Sequence, residues 1–324
     1  MTVTATPLVL PVLLEEVEVV DVARLSPSFV RVHLASPALA ELGCDGTTYD
    51  QRIKLILPGP TGRVRLPDLT GAVDGWYAAW LALPEDERGA MRTYTVRDVV
   101  GSGADTRLVV DLVVHDGATG PAGRWAEQAR VGDRIVVCAP RRGHAYGGIE
   151  FAPGDAGRVL LAGDETAVPA VAAILEQLPA DARGAAYCEV PTGADALALT
   201  HPEGVDVHWL PRDGADRGER LYAAVLGHLG VGAQAPEQGA DAGSEPQTDE
   251  ALVWETPDYS GSGEDVDGGA AEAASAPGDD LYAWIAGESR VVTSLRRSLV
   301  RDLGLDRRQV AFMGYWREGV AMRG

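Results

Sequence analysis

Near residue 155 the spacing of apolar residues changes character, and that change confines the chain to a two-part architecture. Before it, apolar residues come in runs of four to eight, rich in Val, Ile and Thr and bounded by Pro, Gly or Asp. These runs are Glu15–Val22, Phe29–Leu34, Arg52–Leu57, Thr93–Val96, Leu108–Val114 and Arg134–Cys138. Short strands at this spacing predict a closed antiparallel β-barrel. One helix, Gly123–Arg130, interrupts them. After the change, Arg158–Ala162 is almost wholly apolar, as a parallel strand covered on both faces must be. Helix Thr166–Leu178, strands Ala185–Val190 and Val205–Leu210, helix Glu219–Leu229, strand Leu281–Ala286, helix Ser289–Leu303 and strand Gln309–Tyr315 follow. This alternation predicts a doubly wound parallel sheet. The expected division is a barrel over 1–153 and an α/β domain over 154–324.

Residues 234–280 fit neither pattern. They hold thirteen Asp and Glu and no Lys, Arg or His, among many Gly, Ala, Ser and Pro. One-sided charge with low hydrophobicity predicts a disordered acidic insertion, with Leu252-Val253-Trp254 as an island able to dock. The formal charge of −20 argues against nucleic acid, whose affinity rests on cationic phosphate contacts, and against anionic membranes. The three cysteines are scattered and form no CxxC pair, which fits a reducing compartment and excludes a cysteine-ligated cluster. The six histidines show no metal-ligand spacing, so no protein-held metal is expected. The run Leu8–Leu14 is too short for a membrane span or signal peptide, and a cytoplasmic protein is expected.

Three segments carry chemistry. In Arg92-Thr93-Tyr94-Thr95-Val96-Arg97, strand alternation places Arg92 and Tyr94 on one face and Thr93 and Thr95 on the other. Arginine pairs bidentately with phosphate, and an aromatic side chain stacks on a ring. Such a tetrad alone is weak, and a half-buried edge strand reads the same way. His115 to Trp125 is a Gly-rich turn entering a helix, where Gly120, Pro121 and Ala122 permit close approach of a pyrophosphate to free N–H groups. Trp125 reads equally as core packing, and His115 as a structural or adenine-side contact. Asp164-Glu165-Thr166 stands where the first parallel strand hands over to its helix, the usual ligand crevice of such sheets. Two carboxylates there repel phosphate, so they either cap the helix or face something other than phosphate.

In order along the chain stand DQRIKL, RTYTVR, VVHDGATGPAGRWA, VGDR, LLAGDETAVPAV, VHWLPR, AWIAGE and GYWR. This set resembles the siderophore-interacting proteins, a branch of the ferredoxin–NADP reductase superfamily, across nearly the whole sequence. The resemblance implies a barrel that binds FAD, an α/β domain for NADH or NADPH, and reduction of ferric siderophores. It assigns Arg92, Tyr94, Thr95 and Val96 to the flavin strand, and His115, Gly120, Pro121, Ala122 and Trp125 to the flavin-phosphate turn. Asp164, Glu165 and Thr166 fall in the loop beside the flavin. Arg52 stands where the family has His, and Ala139-Pro140 where it has Gly-Pro.

A flavin mechanism needs no side-chain acid–base pair, and none is visible. Many ferric siderophores are anionic, so Lys54, Arg297 and Arg301 are the candidate substrate residues, although either arginine also reads as a solvated helix face. A ferredoxin is an alternative electron donor. A general flavin or quinone reductase, a siderophore-binding module without activity, and an electron-transfer partner of a monooxygenase are the competing functions.

Overall fold

Alternating inward residues fold the first half into a curled sheet. In this computed structural model the described residues are 10–59, 62–67, 75–115, 120–231, 254–256, 259–260 and 280–320. They divide into two units, one ending at Ile149 and the other beginning at Glu150. In the first, β1 (Val12–Arg24), β2 (Phe29–Ala35) and β3 (Arg52–Leu57) are followed by two short helices, α1 (Trp76–Leu81) and α2 (Glu85–Arg88). Next come β4 (Ala90–Thr95), β5 (Asp98–Val100), β6 (Arg107–Val113), α3 (Pro121–Gln128) and β7 (Arg134–Pro140). The sheet order is β4-β3-β7-β1-β2-β6-β5, antiparallel at every pairing.

The first and last strands of that order are consecutive stretches of chain, separated by the bend Val96-Arg97. The N–H of Val96 donates to the carbonyl of Gln51 (2.8 Å), and that of Arg97 to the carbonyl of Val109 (3.0 Å). One strand therefore closes the ring, pairing with β3 before the bend and with β6 after it. Inside lie Leu13, Val17, Val32, Leu34, Ile53, Leu55, Val110 and Val137, among others. The alternate positions Leu14, Ile56, Met91, Val136 and Cys138 point outward and are covered by Trp80 of α1. Neither α1, α2 nor β5 is predicted from the sequence: the helices span barely a turn or two, and the strand has only three residues.

The second unit holds β8 (Arg158–Gly163), α4 (Val168–Gln177), β9 (Arg183–Val190), β10 (Val205–Pro211), α5 (Glu219–His228), β11 (Trp254–Thr256), β12 (Tyr259–Ser260), β13 (Leu281–Glu288), α6 (Ser289–Arg296) and β14 (Val310–Trp316). The order β10-β9-β8-β13-β14 is parallel throughout. Successive crossovers run outward on either side of β8 and β13, so the switch point lies between those two strands. Helices α5 and α6 bury Leu221, Val225, Val292 and Leu295 against Leu160, Ala162, Ile285 and Phe312.

Two predicted segments differ from the structure. Helix Ser289–Leu303 is α-helical only to Arg296, after which Arg297–Asp302 forms a wider π-type turn. The extra residue per turn lets Ser298 and Leu299 both face inward, where the Ser298 hydroxyl meets the Tyr222 hydroxyl (2.7 Å). Within the acidic tract, β11 pairs antiparallel with β14 (Trp254 opposite Met313, Glu255 opposite Phe312), and β12 pairs back on β11. Apart from Asp280, the rest of that tract lies outside the described residues. Trp254 and Glu255 thus pair along a sheet edge that β14 would otherwise leave open.

Replacing residues 251–261 with a Gly/Ser linker of equal length uncovers the backbone edge of β14. The expected result is a larger scattering mass than the parent at equal concentration, from edge-to-edge pairing. A scattering mass identical to the parent's would show that β11 does not guard this edge.

Candidate functional site

On β4 the register settles which side chains face where. Tyr94 lies opposite Ile53 and Arg92 opposite Leu55, both on the barrel-facing side, while Thr93 lies opposite Lys54 on the outside. Helix α3 packs on β3, β4 and β6, bringing Ala122 and Trp125 into the cluster that holds Tyr94 and Val96. The strand and the Gly120 turn, far apart in sequence, therefore meet through shared packing. Arg92 is half-buried and donates to the carbonyl of Met91 (2.7 Å). Burial pulls its guanidinium below the ordinary value, and no carboxylate among the described residues offsets that. Burial pushes the Tyr94 phenol up, and Arg92 draws it partly back. Gly120 is exposed at the start of α3, and a Cβ there would meet nothing within 4 Å. His115 is half-buried just beyond β6, while Asp116–Thr119 lie outside the described residues.

A cleft of about 250 Å³ opens on the outer side of the same strands, lined by Arg52, Lys54, Thr93 and Tyr146 with Ile53, Gly147 and Gly148. Lys54 Nζ donates to the Thr93 hydroxyl at 2.7 Å. Burial, and then the neighbouring Arg52 charge, lower the Lys54 ammonium's pKa.

At the carboxyl ends of the parallel strands the crevice is filled by the protein itself. Asp164 is 3% exposed. Its Oδ1 accepts from the N–H of Thr166 (2.9 Å) and from the Thr166 hydroxyl (2.5 Å). Its Oδ2 accepts from the N–H of Glu288 (2.8 Å) and the indole of Trp316 (2.9 Å). One carboxylate thus ties β8 to the ends of β13 and β14, across the switch point. Gly287 (φ +142°) leaves the space: a Cβ there would lie 2.8 Å from Asp164 Cγ.

Glu165, with no solvent exposure, accepts two bonds from Arg212 (2.7 and 3.1 Å) and one from Arg217 (2.7 Å). Glu189 accepts from Arg212 (3.2 Å) and from the N–H groups of Gly218 and Leu221. The Arg217 guanidinium also lies 4.6 Å from the Trp316 ring centre. Burial pushes the Glu165 carboxyl up, but Arg212 and Arg217 outweigh it and hold the group below its usual range. For Asp164 burial wins: with the Glu165 charge beside it, its pKa is pushed up to about 6 against the bonds from Thr166 and Trp316.

Of the two sequence readings of this loop, helix capping does not hold, because Ala167 is the first flanking residue of α4 and no side chain caps it. Arginine faces Glu165, from just after β10 and just before α5, whereas Asp164 is met by Thr166, the Glu288 N–H and Trp316. Thr166 remains partly exposed. Arg297 and Arg301 are exposed on the wide turn after α6. Sequence reasoning missed Arg212, Arg217, Glu189, Glu288, Trp316 and Tyr146 as site residues. Arg212 and Glu288 end two of the motifs noted above and Trp316 lies within a third, and that was the available signal.

An antiparallel barrel followed by a switch-point parallel sheet defines a two-unit fold class. Residues 18–144 match the siderophore-interacting FAD-binding domain, and residues 156–319 match the siderophore-interacting protein family. The chain belongs to the siderophore-interacting protein family. An uncharacterised protein of Mycobacterium tuberculosis (strain ATCC 25618 / H37Rv) is 39% identical over 201 residues, covering 61% of this chain and 65% of that relative's length. The NADPH-dependent ferric-chelate reductase of Escherichia coli (strain K12) is 27% identical over 308 residues, 93% of this chain and 92% of its own. A crystal structure of a siderophore utilization protein from T. fusca superposes with a TM-score of 0.65 at 30% identity, covering 96% and 95% of the two chains.

The Asp164 carboxyl can be read by titration. Its folded pKa lies above the ordinary carboxyl value of 3.8, so its stabilising contribution is complete below that value and is lost as pH rises through about 6. Because Trp316 donates to it, tryptophan emission should show an inflection near pH 6. That inflection should be absent in Asp164→Asn; its survival there would assign the titration to another group.

Proposed function

We propose that this protein is a flavin-dependent reductase that passes electrons from NADPH or NADH through FAD to ferric siderophores, so that iron(II) is released inside the cell. The observation that carries the reading is Arg92, a half-buried guanidinium with no carboxylate partner among the described residues, on a strand whose Tyr94 packs with Ala122 and Trp125 after the Gly120 turn. A cation left in that condition suits a phosphate. The residues fit FAD: Arg92 and the open start of α3 would hold the pyrophosphate, while Tyr94, Thr95 and Val96 would line the ring-bearing end. Ala122 and Trp125 would fix the turn against the barrel, with His115 at its approach.

FAD supplies the step between a two-electron donor and a one-electron ferric acceptor. The chain's own residues place and shield it. The buried network around Asp164 and Glu165 would hold the loop ending in Thr166 rigid, so that its backbone presents a fixed surface to the donor. That network carries more acidic than basic groups, which disfavours a dinucleotide phosphate in the crevice itself. A reduced ferredoxin is the alternative donor. Lys54, Arg297 and Arg301 would meet the anionic chelate. Iron is the substrate here: siderophore oxygens hold ferric iron firmly and iron(II) less so, and its release needs no protein ligand. Among the described residues no group of three ligating side chains is placed to hold a metal, and no helix is long and apolar enough to cross a membrane.

The purified protein should be yellow, and its visible flavin band should bleach with NADPH and return on adding a ferric siderophore. Arg92→Ala removes a charged hydrogen bond worth roughly 1.5–3 kcal/mol, so FAD affinity should fall about tenfold or more. Unchanged FAD affinity in that variant would remove this strand from the flavin site.

A further inference from the structure

A carboxylate lies buried in the outer wall of the barrel, within the apolar run of β6. Along that strand Leu108, Val110 and Leu112 turn into the core. Asp111 stands at an alternate, outward position, yet it is only 3% exposed. Arg31, directly opposite on β2, donates to both of its oxygens, Nε to Oδ1 at 2.7 Å and Nη2 to Oδ2 at 2.8 Å. Arg97, equally shut away from solvent, brings its Nε to 3.6 Å from Oδ2. Two guanidiniums share one buried acid, and they reach it from different parts of the ring.

Strand β3 pairs with β4 and β7, and β6 pairs with β2 and β5, so the chain between β4 and β5 is what joins β3 to β6. This joint is two residues long. The N–H of Val96 reaches the Gln51 carbonyl on one side, and the N–H of Arg97 reaches the Val109 carbonyl on the other. The Val96 side chain lies in the core, while Arg97 meets Asp111 on the outer wall.

Register at this joint decides which side chains stand where. A slip of one residue would exchange Val96 and Arg97, and the apolar core opposes that. A slip of two would put Tyr94 in the place of Val96 and keep an inward residue that tolerates the core. What it would lose is the pair with Asp111, because Thr95 would then face the carboxylate. Apolar residues of similar volume often match a buried ion pair in stability, and the best-attested use of such a pair is to set register.

Thr95 and Val96 stand immediately before Arg97, at the end of the strand assigned above to the flavin ring. We propose that Arg97, held by Asp111, is a positioning residue that fixes the register of Thr95 and Val96 and so the seat of the ring. It acts through those two residues rather than on the cofactor. Arg31 shares the acid but stands on β2, so it serves the stability of the wall alone. The proposal rests on the reading of the protein as a flavoprotein and adds to it a residue outside the flavin site.

The full-length protein is titrated with FAD and, separately, with ADP, which carries the pyrophosphate end without the ring. Calorimetry reads both. Arg97→Gln should weaken FAD about fivefold, the scale of one ion pair, and change ADP less than about twofold. Asp111→Asn should give the same pattern. Arg97→Lys keeps the charge and should recover most of the FAD affinity. Arg31→Gln should lower the thermal midpoint and leave the ratio of FAD to ADP affinity at the parent's value.

Equal weakening of FAD and ADP in Arg97→Gln would reduce the pair to a structural contact and overturn the proposal. So would a loss of FAD over ADP in Arg31→Gln as large as that in Arg97→Gln. A parent that binds no FAD would overturn the functional reading, and the proposal with it. A parent that holds FAD, with Arg97→Gln and Asp111→Asn holding it as tightly, would leave that reading in place and remove only the positioning role.

Discussion

Glu165 is sealed from solvent between Arg212 and Arg217, and Asp164 beside it takes four hydrogen bonds from three chain segments. A buried carboxylate stripped of its partner costs about 3–5 kcal/mol, so these contacts leave little freedom to the strand ends that supply them. Arg212 follows β10, Arg217 precedes α5, Glu288 ends β13 and Trp316 ends β14. Each is placed by this pair of acids, and the carboxyl edge of the sheet is rigid as a result. The helix Tyr222–Ser298 contact and the apolar packing of α5 and α6 lie beneath that edge and support it.

This arrangement inverts the usual use of a switch point. In most open α/β sheets the crevice receives a ligand's phosphate on a helix N-terminus. Here Asp164 occupies it, and Gly287 makes room for the carboxylate. The distribution of charge agrees: Arg52, Lys54 and Arg92 stand on β3 and β4, and acids bonded to Arg212 and Arg217 fill the sheet's end.

The two-part fold was legible because its cause is periodic. Alternating runs of Val, Ile and Leu had to form pleated strands, and the unbroken Val159–Leu161 run had to lie between helices. Pairing and order were not legible, since both follow from contacts between distant segments, such as Arg97 on Val109. The Arg92, Tyr94 and Trp125 group was visible as motifs, and the structure adds that Tyr94 and Trp125 pack against the same core. Arg217, Glu189 and Tyr146 carried no local signal. Their roles come from where loops return: a guanidinium meeting Glu165 from more than forty positions away, and a tyrosine held by Gln51 through a neighbouring glycine. The β11 pairing escaped for a similar reason. Composition described the tract as a whole, whereas pairing depends on three residues and an available edge.

The stretch from Ala90 to Val100 closes the barrel with both of its ends and also carries Arg92 and Tyr94. A nascent chain in which that ring has not yet shut cannot present the two side chains in register. Any ligand that grips them therefore stabilises the closed ring over its opened forms, by an amount that grows with the logarithm of ligand concentration. Scarcity of that ligand in a growing cell would then shorten the lifetime of the polypeptide itself, tying the protein's abundance to the supply of what it binds.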